Sequence, residues 1–232
     1  MLLTLSTLAL AAPYQNPVRT PEAGFVEVNL GLGGTLHDQD LRDCEGDNCR
    51  ARETQWGSDL RFAARPVEAF GIWVQGNLGT ESLEGAEHEG WAFGVDAGVH
   101  LALPRDGLRP ALSVQGSWQR SPVFDWESAA TTDKALRLEA ALFAAWGNDA
   151  DGFVAYGGPA VRFWQAREVS LVEDDVSFEL ESWIPVGLVV GGEVVSDMLG
   201  LPWVDRTPRL AVGLEARALD AWGLEAWVSL RY

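Results

Sequence analysis

Trp222-Gly-Leu-Glu-Ala-Trp-Val-Ser-Leu-Arg-Tyr232 is the stretch that decides the fold. Positions 224, 226, 228, 230 and 232 are Leu, Ala, Val, Leu and Tyr. Positions 223, 225, 227, 229 and 231 are Gly, Glu, Trp, Ser and Arg. A β-strand sends successive side chains to opposite faces. The segment therefore reads as a strand with one apolar face, free of charge, and one polar face.

Working outward, the same period of two recurs along the chain between clusters of turn-forming residues. Strands are expected over about 24–36 (Val26, Val28, Leu30 and Leu32 on the apolar face), 54–65 (Trp56, Leu60, Phe62, Ala64), 70–80 (Phe70, Ile72, Val74, Leu78) and 90–103 (Trp91 to Leu103 on odd positions). They continue over 108–118 (Leu112, Val114, Trp118), 135–146 (Leu136 to Trp146 on even positions), 176–194 (Phe178, Leu180, Ile184 to Val190) and 208–219 (Leu210, Val212, Leu214, Ala216). The segment 152–167 is out of step: Phe153, Val161 and Phe163 share a parity that Val154, Tyr156 and Trp164 break. Gly157-Gly158-Pro159 in its middle predicts a bulge there. Pro185 removes one ladder donor and predicts a further irregularity.

Outside the irregular segment, the apolar face carries no Asp, Glu, Lys or Arg. The aromatic residues on it stand at segment ends: Trp56, Phe70, Trp91, Trp118, Trp146, Phe153, Phe163, Phe178, Trp222 and Tyr232. A soluble core places its large rings where burial is deepest. Rings at the ends with Leu, Val and Ala between them predict two aromatic girdles flanking a lipid-facing band. An amphipathic strand that stops on an aromatic residue resembles the closing strand of bacterial outer-membrane β-barrels. The chain as a whole resembles a small outer-membrane barrel of the general OmpA/OmpW-like class. That resemblance implies a closed antiparallel transmembrane β-barrel of about ten strands. It implies an outer-membrane location, outer-membrane lipid around the barrel, and recognition of the last strand by the barrel-assembly machinery. Lipid offers no hydrogen bonds, so every strand edge within it must be paired.

With both termini on the periplasmic side, Arg65-Pro-Val-Glu68, Pro104-Arg-Asp-Gly107 and Gly147-Asn-Asp-Ala-Asp-Gly152 become short periplasmic turns. The connections 37–53, 81–89, 119–134 and 168–175 become extracellular loops. Residues 195–207 are long for a turn and Leu219-Asp-Ala-Trp222 is short for a loop, so an eight-strand barrel is the alternative.

Met1-Leu-Leu-Thr-Leu-Ser-Thr-Leu-Ala-Leu-Ala-Ala12 reads as the apolar core of a secretion signal, with a small-x-small site at Ala9-Leu10-Ala11. The expected organisation is a signal peptide at 1–11, a periplasmic leader at 12–23 and the barrel at 24–232. A buried N-terminal strand or helix is the other reading of the first residues. Cys44 and Cys49 are expected to close a small disulfide loop in an exported protein. A lone pair of this spacing does not fill a tetrahedral zinc site.

The formal charge of −17 argues against nucleic-acid binding, which needs Lys and Arg for phosphate. No motif calls for a cofactor or a resident metal. The acidic loop residues (Asp38 to Asp47, Glu81 to Glu89, Glu173 to Asp175) read as a solvated charged surface in preference to a Ca²⁺ site.

The polar face collects Glu27, Asp59, Arg61, Asp96, His100, Arg137, Glu139, Glu215, Arg217, Glu225 and Arg231, the candidate lumen residues. A narrow barrel is filled by its own side chains and buried charges must pair, which predicts a plugged lumen. The competing reading is a narrow pore for small polar solutes or ions, lined by Asn29, Gln75, Asn77, Ser113, Gln115 and Ser117. An outer-membrane hydrolase using His37 or His88 ranks below both, and a soluble lipocalin-like binder conflicts with the outward Leu and Val belt. The plugged, non-catalytic barrel with a structural or surface-interaction role is the expectation; the sequence names no extracellular ligand.

Overall fold

Alternation over ten segments gives ten staves. The computed structural model describes residues 26–40, 50–67, 69–83, 89–103, 107–123, 131–148, 152–170, 175–178, 186–197, 209–219 and 222–231. Its strands are β1 (Val26–Asp40), β2 (Arg50–Val67), β3 (Phe70–Leu83), β4 (Glu89–Ala102), β5 (Arg109–Val123), β6 (Thr131–Asn148), β7 (Phe153–Ser170), β8 (Asp175–Phe178), β9 (Val186–Asp197), β10 (Arg209–Ala218) and β11 (Trp222–Arg231). Strands β8 and β9 both pair with β7, β8 opposite Arg167–Ser170 and β9 opposite Phe153–Val161, so together they make one stave. The segment expected at 176–194 is thus met in two pieces; the interval containing Pro185 lies outside the described residues.

Each stave is antiparallel to its neighbours, and β1 pairs with β11 over Glu27↔Arg231 to Leu36↔Trp222, which closes the sheet. Ten staves set aside the eight-strand alternative. Both β1 and β11 have their outermost chain ends at one rim. Two turns of that rim use glycines in the left-handed region, Gly107 between β4 and β5 and Gly147 and Gly152 between β6 and β7, where a side chain is strained. The signal and leader segments, Cys44 and Cys49, and the long connection 198–208 lie outside the described residues.

Two expectations need correction. The bulge in β7 is at Phe163: Leu138 faces Trp164 while Glu139 faces Arg162, leaving Phe163 as the extra residue. Phe163 and Trp164 consequently both point outward. At Gly157-Gly158-Pro159 the register is unchanged on both sides. Glycine is needed there for close approach, since a β-carbon on Gly158 would lie 1.9 Å from the Leu142 carbonyl oxygen. Val154 and Tyr156 break the apolar parity because they face the lumen, where both are buried.

The second correction concerns the loops. The ladder runs on beyond the amphipathic pattern, pairing His37↔Glu53 to Asp40↔Arg50 and Ser121↔Asp133 to Val123↔Thr131. Backbone pairing needs no apolar face, so it continues where side-chain alternation has stopped marking it.

The outward face is the expected band. Leu30, Leu32, Leu142, Val186, Val194 and Val212 are exposed along it. Trp56, Trp91, Trp146 and Trp222 (73% exposed) stand out at its margins, with Trp118, Phe153 and Phe163 exposed to a lesser degree and Phe70 half-buried. The side chains of Phe178 and Tyr232 lie outside the described residues. Trp164, exposed next to the bulge, joins the ring.

Candidate functional site: the barrel lumen

Period two turns the polar face of every stave inward, so the lumen is where charge collects. Glu27, Asp59, Arg61, Asp96, Arg137, Glu139 and Glu215 are buried there, and His100, Arg217 and Glu225 are partly buried. The side chain of Arg231 lies outside the described residues. The structure adds Gln55, Arg65, Tyr156, Arg162 and Glu193 to this set, all buried. Glu193 shares the parity of Glu179 and Glu181 and was legible on that ground. Arg162 was hidden by the bulge beside it. Trp73, Phe143 and Trp227 also point inward, Trp227 in keeping with its place on the polar face of the closing strand.

Glu139 is the hub of one network. Its Oε1 accepts from Arg162 Nε at 2.9 Å and Nη2 at 2.8 Å, and its Oε2 accepts from Gln115 Nε2 at 3.1 Å. Arg217 Nη1 stands 3.5 Å from the same Oε2. Strand β6 carries Glu139 and β10 carries Arg217, with β7 and β9 between them in the wall. The Arg217–Glu139 contact therefore crosses the lumen. Glu139 and Arg137 are each 2% exposed, so both charges are shielded from solvent. Breaking a buried, hydrogen-bonded pair of this kind typically costs about 3–5 kcal/mol.

A second chain runs Arg61–His100–Ser113. Arg61 Nη2 meets His100 Nε2 at 2.9 Å, and His100 Nδ1 meets Ser113 Oγ at 2.8 Å. A guanidinium only donates. His100 Nε2 therefore accepts, and Nδ1 carries the ring proton toward Ser113 Oγ. That orientation is the reverse of a base taking a proton from a serine nucleophile. The Arg61 guanidinium also lies 4.1 Å over the Trp73 ring, whose face stacks near His100. Asp96, four residues before His100, accepts instead from Asn77, which accepts in turn from Gln75. Asp96 and His100 do not form a pair.

Large inward side chains are laid across glycines of the neighbouring stave. Trp227 covers Gly213, Trp73 covers Gly98 and Tyr156 covers Gly191; each pair is in direct register. A β-carbon at Gly213 would lie 2.2 Å from the Trp227 ring, and one at Gly191 would lie 2.3 Å from the Tyr156 ring. Having crossed Gly191, Tyr156 donates to Glu215 Oε2 on β10 at 2.7 Å. Around the β4–β5 and β6–β7 turns the lumen is apolar, with Ala102, Ala111, Ala141, Phe143, Ala145 and Val154 packed together. Phe143 meets Tyr156 edge-on at 5.8 Å between centroids.

No cluster of three or more His, Cys, Asp or Glu among the described residues is arranged to hold a metal ion. His37 and His88 have side chains outside the described residues, so the geometry bears on neither.

A closed antiparallel sheet, apolar and indole-ringed outside and polar inside, is a transmembrane β-barrel of the bacterial outer-membrane type. Its place is the outer membrane. No described helix is long and apolar enough to cross a membrane; the staves do so instead. The fold is similar to the translocator domain of autotransporter NalP from Neisseria meningitidis, at TM-score 0.54 and 9% identity over 94% of this chain and 91% of that one. Weaker matches include an outer membrane channel from Pseudomonas putida F1 (TM-score 0.44, 11% identity, 94% and 97% covered) and OprG from Pseudomonas aeruginosa (0.40, 9%, 91% and 97%). At these identities the likeness is one of fold. No protein-family model matches the chain, and no curated protein matches it in sequence.

Proposed function

We propose that this chain is a plugged outer-membrane barrel with a structural or surface-interaction role and no catalytic activity. The observation that carries the reading is the Arg217–Glu139 contact across the lumen, tied on the far side to Arg162 and Gln115. A solute path at this level requires parting buried charges, which is costly without a compensating partner. The orientation of His100 toward Ser113 supports the non-catalytic part of the reading. The partners are outer-membrane lipid around the apolar band and the barrel-assembly machinery acting on β11. The strands that rise beyond the band, β1 with β2 and β5 with β6, are the surface offered to an extracellular partner.

The test is conductance in a planar bilayer, with detergent-refolded full-length protein shown folded by a heat-dependent gel shift. The expected result is a silent bilayer. Discrete, reproducible openings would overturn the proposal in favour of a narrow pore. That second reading draws on the inward polar stripe of Asn29, Gln75, Ser113, Gln115 and Ser117, all buried in the lumen wall. If it holds, Arg217→Glu changes ion selectivity.

A further inference from the structure

The outward face of the staves is nearly free of charge, and the exception is confined to one place. Among the residues whose side chains are described, that face carries two charged groups, Arg120 of β5 and Lys134 of β6. They share the parity of Trp118 and Leu136, both exposed toward lipid. Arg120 and Lys134 are direct register partners. Directly opposed residues of an antiparallel pair have β-carbons about 4.5–5.5 Å apart, and like charges set there repel. The chain has 34 Asp and Glu against 17 Lys and Arg, and Lys134 is its one lysine. A positive pair on the lipid side runs against that balance.

The height of the pair is informative. Trp118 and Leu136 stand two residues away on the side of the apolar band, while the ladder continues on the other side to Val123↔Thr131. The pair therefore marks the margin where β5 and β6 leave lipid, the outer margin when both termini are periplasmic. A cation on the lipid face is costly at the midplane and is tolerated near an interface. Long basic side chains reach the headgroup level from there.

Rings hold the guanidinium in place. Arg120 Cζ lies 5.8 Å from the centroid of Phe93, its register partner on β4. Phe93 in turn meets Trp118 edge-on, with centroids 5.7 Å apart. Arg120 forms no ion pair among the described residues. Lys134 differs: its other register partner is Glu168 of β7, whose side chain lies outside the described residues. On the band side of the pair the face is apolar, with Trp118 and Trp164 on the staves flanking Leu136 and Leu138 of β6.

We propose that Arg120 and Lys134 form an outward-facing site for the phosphate of a phosphorylated glycolipid in the outer leaflet. The phosphate lies between the two cations and relieves their repulsion, and Arg120 offers it a planar fork of donors. The acyl chains run over Trp118, Leu136 and Trp164. Because that apolar floor begins one step from the cations, an anion with a lipid tail fits better than phosphate free in solution. The inference rests on the outer-membrane reading of the barrel and not on its plug, since both cations face away from the lumen.

The experiment is native mass spectrometry of the full-length protein, refolded in detergent, shown folded by the heat-dependent gel shift and titrated with lipid A. Phosphatidylcholine is the zwitterionic comparison, and inorganic phosphate is the competitor. The variant is Arg120→Gln/Lys134→Gln; should it not fold, Arg120→Gln alone serves. The natural protein is expected to hold lipid A about 25-fold more tightly than the double variant, about fivefold for each cation near a charged lipid surface. Phosphatidylcholine is expected to bind both proteins alike, and inorganic phosphate to leave lipid A in place. Equal lipid A binding by natural and variant protein would overturn the proposal and leave Lys134 to Glu168. Displacement of lipid A by inorganic phosphate would overturn it in favour of a small-anion site. A chain that stays folded without detergent would overturn the membrane reading and this site with it, an outcome visible before any lipid is added.

Discussion

The arc β5–β6–β7 and the arc β11–β1–β2 lie on opposite sides of one lumen and arise from the same alternation, yet they manage charge in opposite ways. On the first, guanidiniums from two staves converge on Glu139, with Gln115 filling the remaining acceptor position. On the second, two acidic side chains are folded down over Gly31 and Gly33. The difference lies in the neighbouring stave. Where the neighbour offers a long side chain of opposite sign, charge is neutralised by pairing. Where it offers glycine, the side chain is laid flat over the neighbour's backbone and meets what lies one stave further on, as Tyr156 meets Glu215.

The sharpest way to break this contrast is Glu139→Ala. It strands Arg162 and Arg217 in a buried site, and the expected loss of stability is about 3–5 kcal/mol. Urea unfolding in detergent, followed by the gel shift, measures it; a loss no larger than that of an exposed surface substitution would mean the network is incidental. Tyr156→Phe comes next. It keeps the ring over Gly191 and removes the bond to Glu215, at an expected cost of about 1.5–3 kcal/mol for a hydrogen bond to a charged group. The smallest effects come from the glycines, and they sharpen the comparison most. Gly213→Ala drives a β-carbon into the rigid Trp227 ring, at an expected cost of about 1–3 kcal/mol. Gly31→Ala meets only the end of the flexible Asp59 side chain and should cost less. Trp227→Ala should cancel most of the Gly213→Ala penalty in a double-mutant cycle, and equal costs at Gly31 and Gly213 would remove the distinction between the two arcs.

Legibility in the sequence follows the same physics. Each lipid-facing band was readable because one face of each stave meets a single solvent, and a period of two records that faithfully. The charged members of the lumen were readable for the same reason, from Glu27 to Glu225. Their pairing was not, because Arg217 meets Glu139 across the barrel, a contact that depends on closure and not on any local spacing. Trp73 and Trp227 fell on the polar faces of their strands by parity, but what each rests on did not show: an inward indole needs a glycine on the adjacent stave, and the register that brings Trp227 to Gly213 is invisible along one strand. Arg162 and Trp164 escaped because a single inserted residue, Phe163, reverses the faces on either side of it. The loop boundaries were misplaced because backbone pairing outlasts the amphipathic pattern that had been used to mark it.

Strand β11 begins at Trp222, opposite Leu36, whereas β1 continues to Asp40. Among the described residues, His37–Asp40 therefore has β2 on one flank and no neighbour on the other. Among the described residues, strand β8 is likewise paired on one flank only, by β7. The described sheet is seamless where lipid demands it and, past the end of β11, has two open borders. Open borders are templates for a further strand. Acidic residues in the sequence of such a border, here Asp38 and Asp40, are a common guard against indiscriminate joining. Closure of the described sheet is thus a property of the band that meets lipid, and the pairing beyond it follows looser rules.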